Sequence, residues 1–173
     1  MRRRAFTLIE MSVLIVVLAM LAGLVLPNLP NLKRSREHRD FRLAVRRLAS
    51  QAREEAILSK SPVILRADEA DGRLVVEREA EDGSQGSVLA SARAPAGVQF
   101  ERFILATGDV NAAEWSLRFQ PDGRAEGGGL ELSFDGDRFY LLVRPNGAGE
   151  SGWGEAPLVE VDEWEAGELE RRI

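Results

Sequence analysis

Cysteine is absent from the 173 residues, and histidine occurs once, as His38. A disulfide, a thiol nucleophile, a cysteine metal site and a lipidated cysteine are all excluded, and a single imidazole leaves little for metal or triad chemistry. No phosphate-binding glycine fingerprint, internal repeat or long linker is present. Ser151 stands in Gly149-Glu150-Ser151-Gly152, which does not fit the G-x-S-x-G nucleophile turn. These gaps point away from an enzyme and from any cofactor. Positive charge is scarce over most of the chain. The net charge is −5, yet residues 33–60 carry nine Lys/Arg against four Asp/Glu, and residues 61–173 carry eleven against twenty-three. The middle segment is basic and the remainder acidic.

What the chain does have is one long apolar run. Between residues 11 and 26 nothing is charged and Ser12 alone is clearly polar; extended back to Ala5, the stretch holds 22 residues with one charge, Glu10. About 20 apolar residues span a bilayer as a helix, with Arg2, Arg3 and Arg4 held on the cytoplasmic side. A cleaved secretory signal peptide is the other reading. The run is longer than the apolar core of such a peptide, and Pro27-Asn28-Leu29-Pro30 supplies no small-x-small cleavage site, so a retained single-pass anchor is expected. A carboxylate costs about 2.5–3.5 kcal/mol at the centre of a membrane helix and less near its end, where the helix N-terminus favours an anion. Glu10 therefore either lies at the interface or needs a cation. A new N-terminal amine at Phe6 would be one.

The basic Arg2, Arg3 and Arg4, the small Ala5, then Phe6-Thr7-Leu8-Ile9-Glu10 resemble the N-terminus of type IV pilins and pseudopilins. The resemblance implies a leader of residues 1–5, cut between Ala5 and Phe6 by a membrane-embedded prepilin peptidase. It also implies N-methylation of Phe6 and pairing of Glu10 with a neighbouring subunit's N-terminal amine during assembly. Glycine is the usual residue before the cut, where this chain has Ala5. The pairing is physically sensible: an amine at a helix N-terminus opposes the helix dipole, a carboxylate in hydrocarbon lacks a partner, and each relieves the other. Pro27 matches a position where the family bends its helix; Pro27 and Pro30 each disfavour helix in the residue before, which gives a transmembrane helix and proline break over residues 6–30.

From residue 31 helical periodicity resumes. Phe41, Ala44, Val45, Leu48, Ala52 and Ala56 fall on one face of a helix over residues 31–60 that ends before Pro62. Beyond it the pattern is of short strands: 63–67, 73–79, 87–92, 98–106, 115–120, 130–134, 138–143 and a last strand at 157–161. Asp71-Gly72 and Asp135-Gly136 read as hairpin turns, while Gly127-Gly128-Gly129 and residues 145–155 read as loops. The tail 161–173 is polar and reads as a short helix or disorder. The expected class is α+β, a pilin-like long helix packed on antiparallel sheet, with residues 31–173 forming the periplasmic domain of an inner-membrane protein. Ala52-Arg53-Glu54-Glu55-Ala56-Ile57 before a strand, and Phe119-Gln120-Pro121-Asp122-Gly123 before a glycine-rich turn, look like H-type pseudopilins and related minor pilins.

That resemblance implies a minor pseudopilin of a type II secretion system, assembling with other pseudopilins; a minor type IV pilin serving pilus assembly or DNA uptake is the alternative. Asp135-Gly136-Asp137 lacks the ligand set of a calcium loop and is read as a turn, so no metal site is assigned. His38, in a basic stretch, is read as solvated. The arginine-rich segment 33–47 could meet phosphates of lipid or DNA. Related DNA-binding pilins carry a basic cluster near the C-terminus, whereas here Arg144 is followed by acidic chain. Acidic neighbours are therefore favoured over nucleic acid.

Overall fold

The computed structural model describes residues 8–25, 29–79 and 86–157. It divides into two units, Met1–Glu37 and His38–Ile173. In the first, α1 (Leu8–Val25) is an 18-residue helix with Glu10 in its first turn. Every described side chain from residue 8 to residue 21 is exposed. Among the described residues no helix is long and apolar enough to cross a membrane. At 1.5 Å per residue α1 is about 27 Å long, and residues 5–7 and 26, which complete the apolar run in sequence, lie outside the described set. α2 (Leu29–Ser59) starts in this unit, with Pro30 as its second residue, where a proline forfeits no intrahelical bond.

The second unit is built on the remainder of α2 and nine strands. β1 (Val63–Asp68), β2 (Arg73–Arg78), β3 (Val88–Arg93) and β6 (Ser116–Phe119) form one sheet, in the order β3-β2-β1-β6. β4 (Val98–Leu105), β5 (Gly108–Val110), β7 (Gly128–Phe134), β8 (Asp137–Val143) and β9 (Gly149–Trp153) form the other, in the order β5-β4-β7-β8-β9. All pairings are antiparallel. The expected helical face is buried: Phe41, Val45, Leu48, Ala52 and Ala56 join Val63, Leu65 and Ala67 of β1 and Leu130, Leu132 and Phe134 of β7 in one core. The alternation of β1 places its odd-numbered residues inward, as half-buried antiparallel strands do. Trp115 ties the sheets together, its Nε1 donating to the Ile104 carbonyl at 3.2 Å and its ring 5.5 Å from Phe103.

Helix α2 stops where Lys60 adopts a left-handed φ of 54°, a common helix C-terminus. Asp135 and Gly136, at φ 56° and 98°, make the tight turn between β7 and β8 that two positive φ values allow. Two loop expectations are corrected. Gly128 and Gly129 are in β7, not in a loop, because a Cβ on Gly128 would meet Leu117 Cδ2 at 2.6 Å and the Ile104 carbonyl at 2.7 Å. Residues 149–153 are β9, recruited by pairing with β8 although Trp153 is its only large apolar side chain. The short β5 was not expected. The strand expected at 157–161 and the tail 161–173 lie outside the described residues, except for Pro157, which is not in a strand.

Candidate assembly surfaces

The residues singled out for processing, Ala5 and Phe6, and the break residue Pro27 lie outside the described residues. Glu10 is exposed in the first turn of α1. Two residues on, the Ser12 hydroxyl donates to the Leu8 carbonyl at 2.9 Å, a bond that satisfies the helix's one serine internally. The described face of α1 therefore offers Leu8, Ile9, Val13, Ile15, Val16 and Met20, all at least half exposed. Contiguous apolar surface of this kind needs lipid or protein over it.

In the second unit the surfaces of the sheets are closed by internal ion pairs. Arg66 Nε lies 2.8 Å from Glu77 Oε1 across β1 and β2. Arg118 reaches Glu79, and Arg78 reaches Glu55 on α2, each at 2.5 Å. Arg73 holds Asp68 at 3.0 Å; that hydrogen bond keeps the Asp68 carboxyl below the usual carboxylate range. On the outward side of β7 the buried Glu131 accepts the backbone N–H of Ala156 at 2.8 Å and faces Arg102 at 3.5 Å. Arg102 is also gripped by Asp109 at 2.9 Å, a hydrogen bond that raises its already high pKa. The segment after β9 thus crosses the outer face of this sheet, and Ala156 and Pro157 help line a small cavity with Arg102, Ile104 and Asp109.

The flank of α2 beside β9 is different. Arg42 lies over Trp153, 4.4 Å from ring centroid to guanidinium carbon, and 5.8 Å from Phe134. Arg46 donates through Nε to the Ser151 hydroxyl and through Nη2 to the Ser151 carbonyl at 3.2 Å, covering one backbone acceptor of this edge strand. Phe134, Phe139 and Trp153 pack edge to face at 5.8–6.1 Å beneath them. Further along, Arg53 donates to the Gly123 carbonyl at 3.0 Å. Gly147, at φ 76°, is packed against that same carbonyl and Arg53, so two loops are pinned to α2 at one point.

His38 is not solvated. It is buried against Phe134, with Nε2 3.1 Å from the Ala96 carbonyl and Nδ1 3.6 Å from Asp135. Its position three residues before Phe41 and seven before Val45 continues the apolar stripe, a cue that the surrounding arginines obscured. The Asp135 turn serves this contact. Among the described residues no group of three or more His, Cys, Asp or Glu side chains is placed to hold a metal ion. Sequence pattern alone does not bring Arg42, Arg46 and Trp153 together, because Trp153 stands among the glycines of residues 145–155, a loop signal.

One long helix laid over two antiparallel sheets, with its apolar stripe inward, defines a pilin-like protein. The chain belongs to the type II transport protein GspH family, which it matches over residues 44–149. Its fold is similar to that of the minor pseudopilin EpsH from the type 2 secretion system of Vibrio cholerae, with a TM-score of 0.52 and 20% identity over 65% of this chain and 94% of that one. A second EpsH structure gives a TM-score of 0.51 at 19% identity, over 72% and 96% of the two chains. The type IV minor pilin FimU of Pseudomonas aeruginosa gives 0.50 at 14% identity, over 69% and 96%. At these identities the likeness concerns fold alone. No curated protein matches the chain.

Proposed function

We propose that the protein is an H-type minor pseudopilin, a structural and non-catalytic subunit of a type II secretion pseudopilus. The family match over residues 44–149 carries this reading. In it, the prepilin peptidase removes residues 1–5, Phe6 is N-methylated, and the helix from Phe6 anchors the chain in the inner membrane with the sheet domain in the periplasm. Glu10 then pairs with the Phe6 amine of an adjacent pseudopilin, and the exposed apolar side chains of α1 move from lipid to neighbouring helices. The alternative, a minor pilin of a pilus or uptake system, is favoured by the FimU-like fold.

Deletion of the gene in its own host separates the two. Loss of secreted proteins from the medium, restored by the wild-type chain and not by Glu10→Leu at equal membrane level, is the expected result. Unchanged secretion with loss of surface pili would establish the alternative. N-terminal sequencing of the membrane-extracted chain should begin at Phe6; an intact Met1 in assembled material would overturn the processing step.

A further inference from the structure

After β9 the chain turns onto the outer face of the β5-β4-β7-β8-β9 sheet and is fastened there step by step. The Gly154 N–H donates to the Arg138 carbonyl at 2.9 Å, the Glu155 carboxylate lies 2.7 Å from Arg138 Nη1, and the Ala156 N–H donates to Glu131 Oε1 at 2.8 Å. β8 and then β7 are crossed in this way, and Pro157 arrives beside β4 and β5. A cavity of about 160 Å³ opens at that point. Ile104, Leu105, Ala106, Ala156 and Pro157 give it apolar walls, and its two charged members, Arg102 and Asp109, satisfy each other at 2.9 Å. Such a cavity offers a polar group no free partner, and an aliphatic side chain suits it.

We propose that Leu158 of the same chain seats in this cavity, making residues 154–158 a strap closed over Glu131. Chain continuity selects the occupant. Pro157 is part of the cavity wall, and the next Cα lies about 3.8 Å from its own, so Leu158 starts at the mouth and needs no reach. Composition agrees: Leu158-Val159-Glu160-Val161 is the one apolar cluster after Pro157, and beyond it acidic residues separate single apolar ones. The closed strap excludes water from the Glu131 and Arg102 pair, whose hydrogen bonds gain strength in a low dielectric. Lifted, it takes away the backbone donor that the buried Glu131 carboxylate accepts from. It also sets where the acidic residues Asp162, Glu163, Glu165, Glu168 and Glu170 depart, at the β4–β5 end of the sheet.

The test follows deuterium uptake over residues 154–158 and thermal melting of the detergent-extracted full chain. Leu158→Asp should speed that uptake at least tenfold and lower the melting temperature by about 2–4 °C. Leu158→Met, apolar and of similar volume, should stay within twofold of the wild-type uptake, and Leu169→Asp, farther along the tail, should change neither reading. These variants alter the tail and leave the folded core intact, so misfolding cannot account for the pattern. Contact with the wall is read by coupling: in an Ile104→Ala background, Leu158→Ala should produce less than half the melting shift it produces alone. Indifference to Leu158→Asp, equal effects of Leu158→Asp and Leu169→Asp, or full additivity with Ile104→Ala would overturn the proposal. A melting temperature that rises with protein concentration, and ceases to in Leu158→Asp, would put a second copy's Leu158 in the seat and would also overturn it. So would protection that follows the detergent used and ignores Leu158→Asp, since an acyl chain would then be the occupant.

Discussion

Arg66 on β1 and Arg42 on α2 are both half-covered arginines, yet one ends on Glu77 at 2.8 Å and the other on the face of Trp153. The difference recurs among the arginines of the second unit, Arg39, which meets Asp40, excepted. Arg66, Arg73, Arg78, Arg93, Arg102, Arg118, Arg124, Arg138 and Arg144 each pair with a carboxylate. Arg42, Arg46, Arg47 and Arg53 of α2 pair with none among the described residues. Charges on the sheets are arranged to be complete within the domain, and they specify strand register through cross-strand pairs. On α2, Arg42, Arg46 and Arg53 are turned instead to aromatic rings or carbonyls, although Arg39 of the same helix does meet a carboxylate, that of Asp40 at 3.8 Å.

The sharpest way to break this comparison is Arg66→Ala. It leaves the Glu77 carboxylate, whose side chain is only 7% exposed, without its cation. A cost of about 2–4 kcal/mol is expected, since removing one member of a buried pair strands the other. Urea unfolding of the detergent-solubilised chain should show it; a change under 1 kcal/mol would mean the sheet pairs are no more structural than the helix arginines.

The contrast was only half legible in sequence. The alternation of Val63, Leu65 and Ala67, the Asp-Gly turns and the stripe from Phe41 to Ala56 are local patterns, and local patterns record local structure. Charge partners are not local: Arg118 meets Glu79 across 39 residues, and Arg46 meets Ser151 across 105. β9 escaped for the same reason, because a Gly-Glu-Ser-Gly stretch becomes a strand only when β8 is beside it. The burial of His38 depends on Ala96 and Phe134, far along the chain.

A smaller effect is expected from Arg42→Ala, which removes the stack on Trp153 and costs about 1 kcal/mol. Arg47→Ala, at an exposed residue with no hydrogen bond or ion pair among the described residues, should stay within about 0.5 kcal/mol. Thermal melting of the two variants side by side checks the ranking, and equal losses would erase the distinction between the two faces of α2.

Smallest is a titration on the sheets. Asp68 is held below the usual carboxylate range, first by its hydrogen bond from Arg73. A carboxyl depressed on folding adds stability above the unfolded pKa, and that stability is lost as pH falls through the folded value. Arg73→Leu should move the Asp68 titration upward in a carboxyl NMR experiment and remove the acid-side dependence it contributes. An unmoved titration would assign the shift to other neighbours.

The bond from the Ala156 N–H to Glu131 fastens the segment after β9 by a main-chain group. The side chain at 156 is thus released from any duty in that attachment. Any residue that fits beside the small cavity Ala156 helps line keeps the bond, with proline excluded because it has no N–H, while Glu131 on the other side of the bond supplies the acceptor. The place where the chain leaves this sheet is in this way set by a main-chain bond rather than by the identity of the side chain at 156.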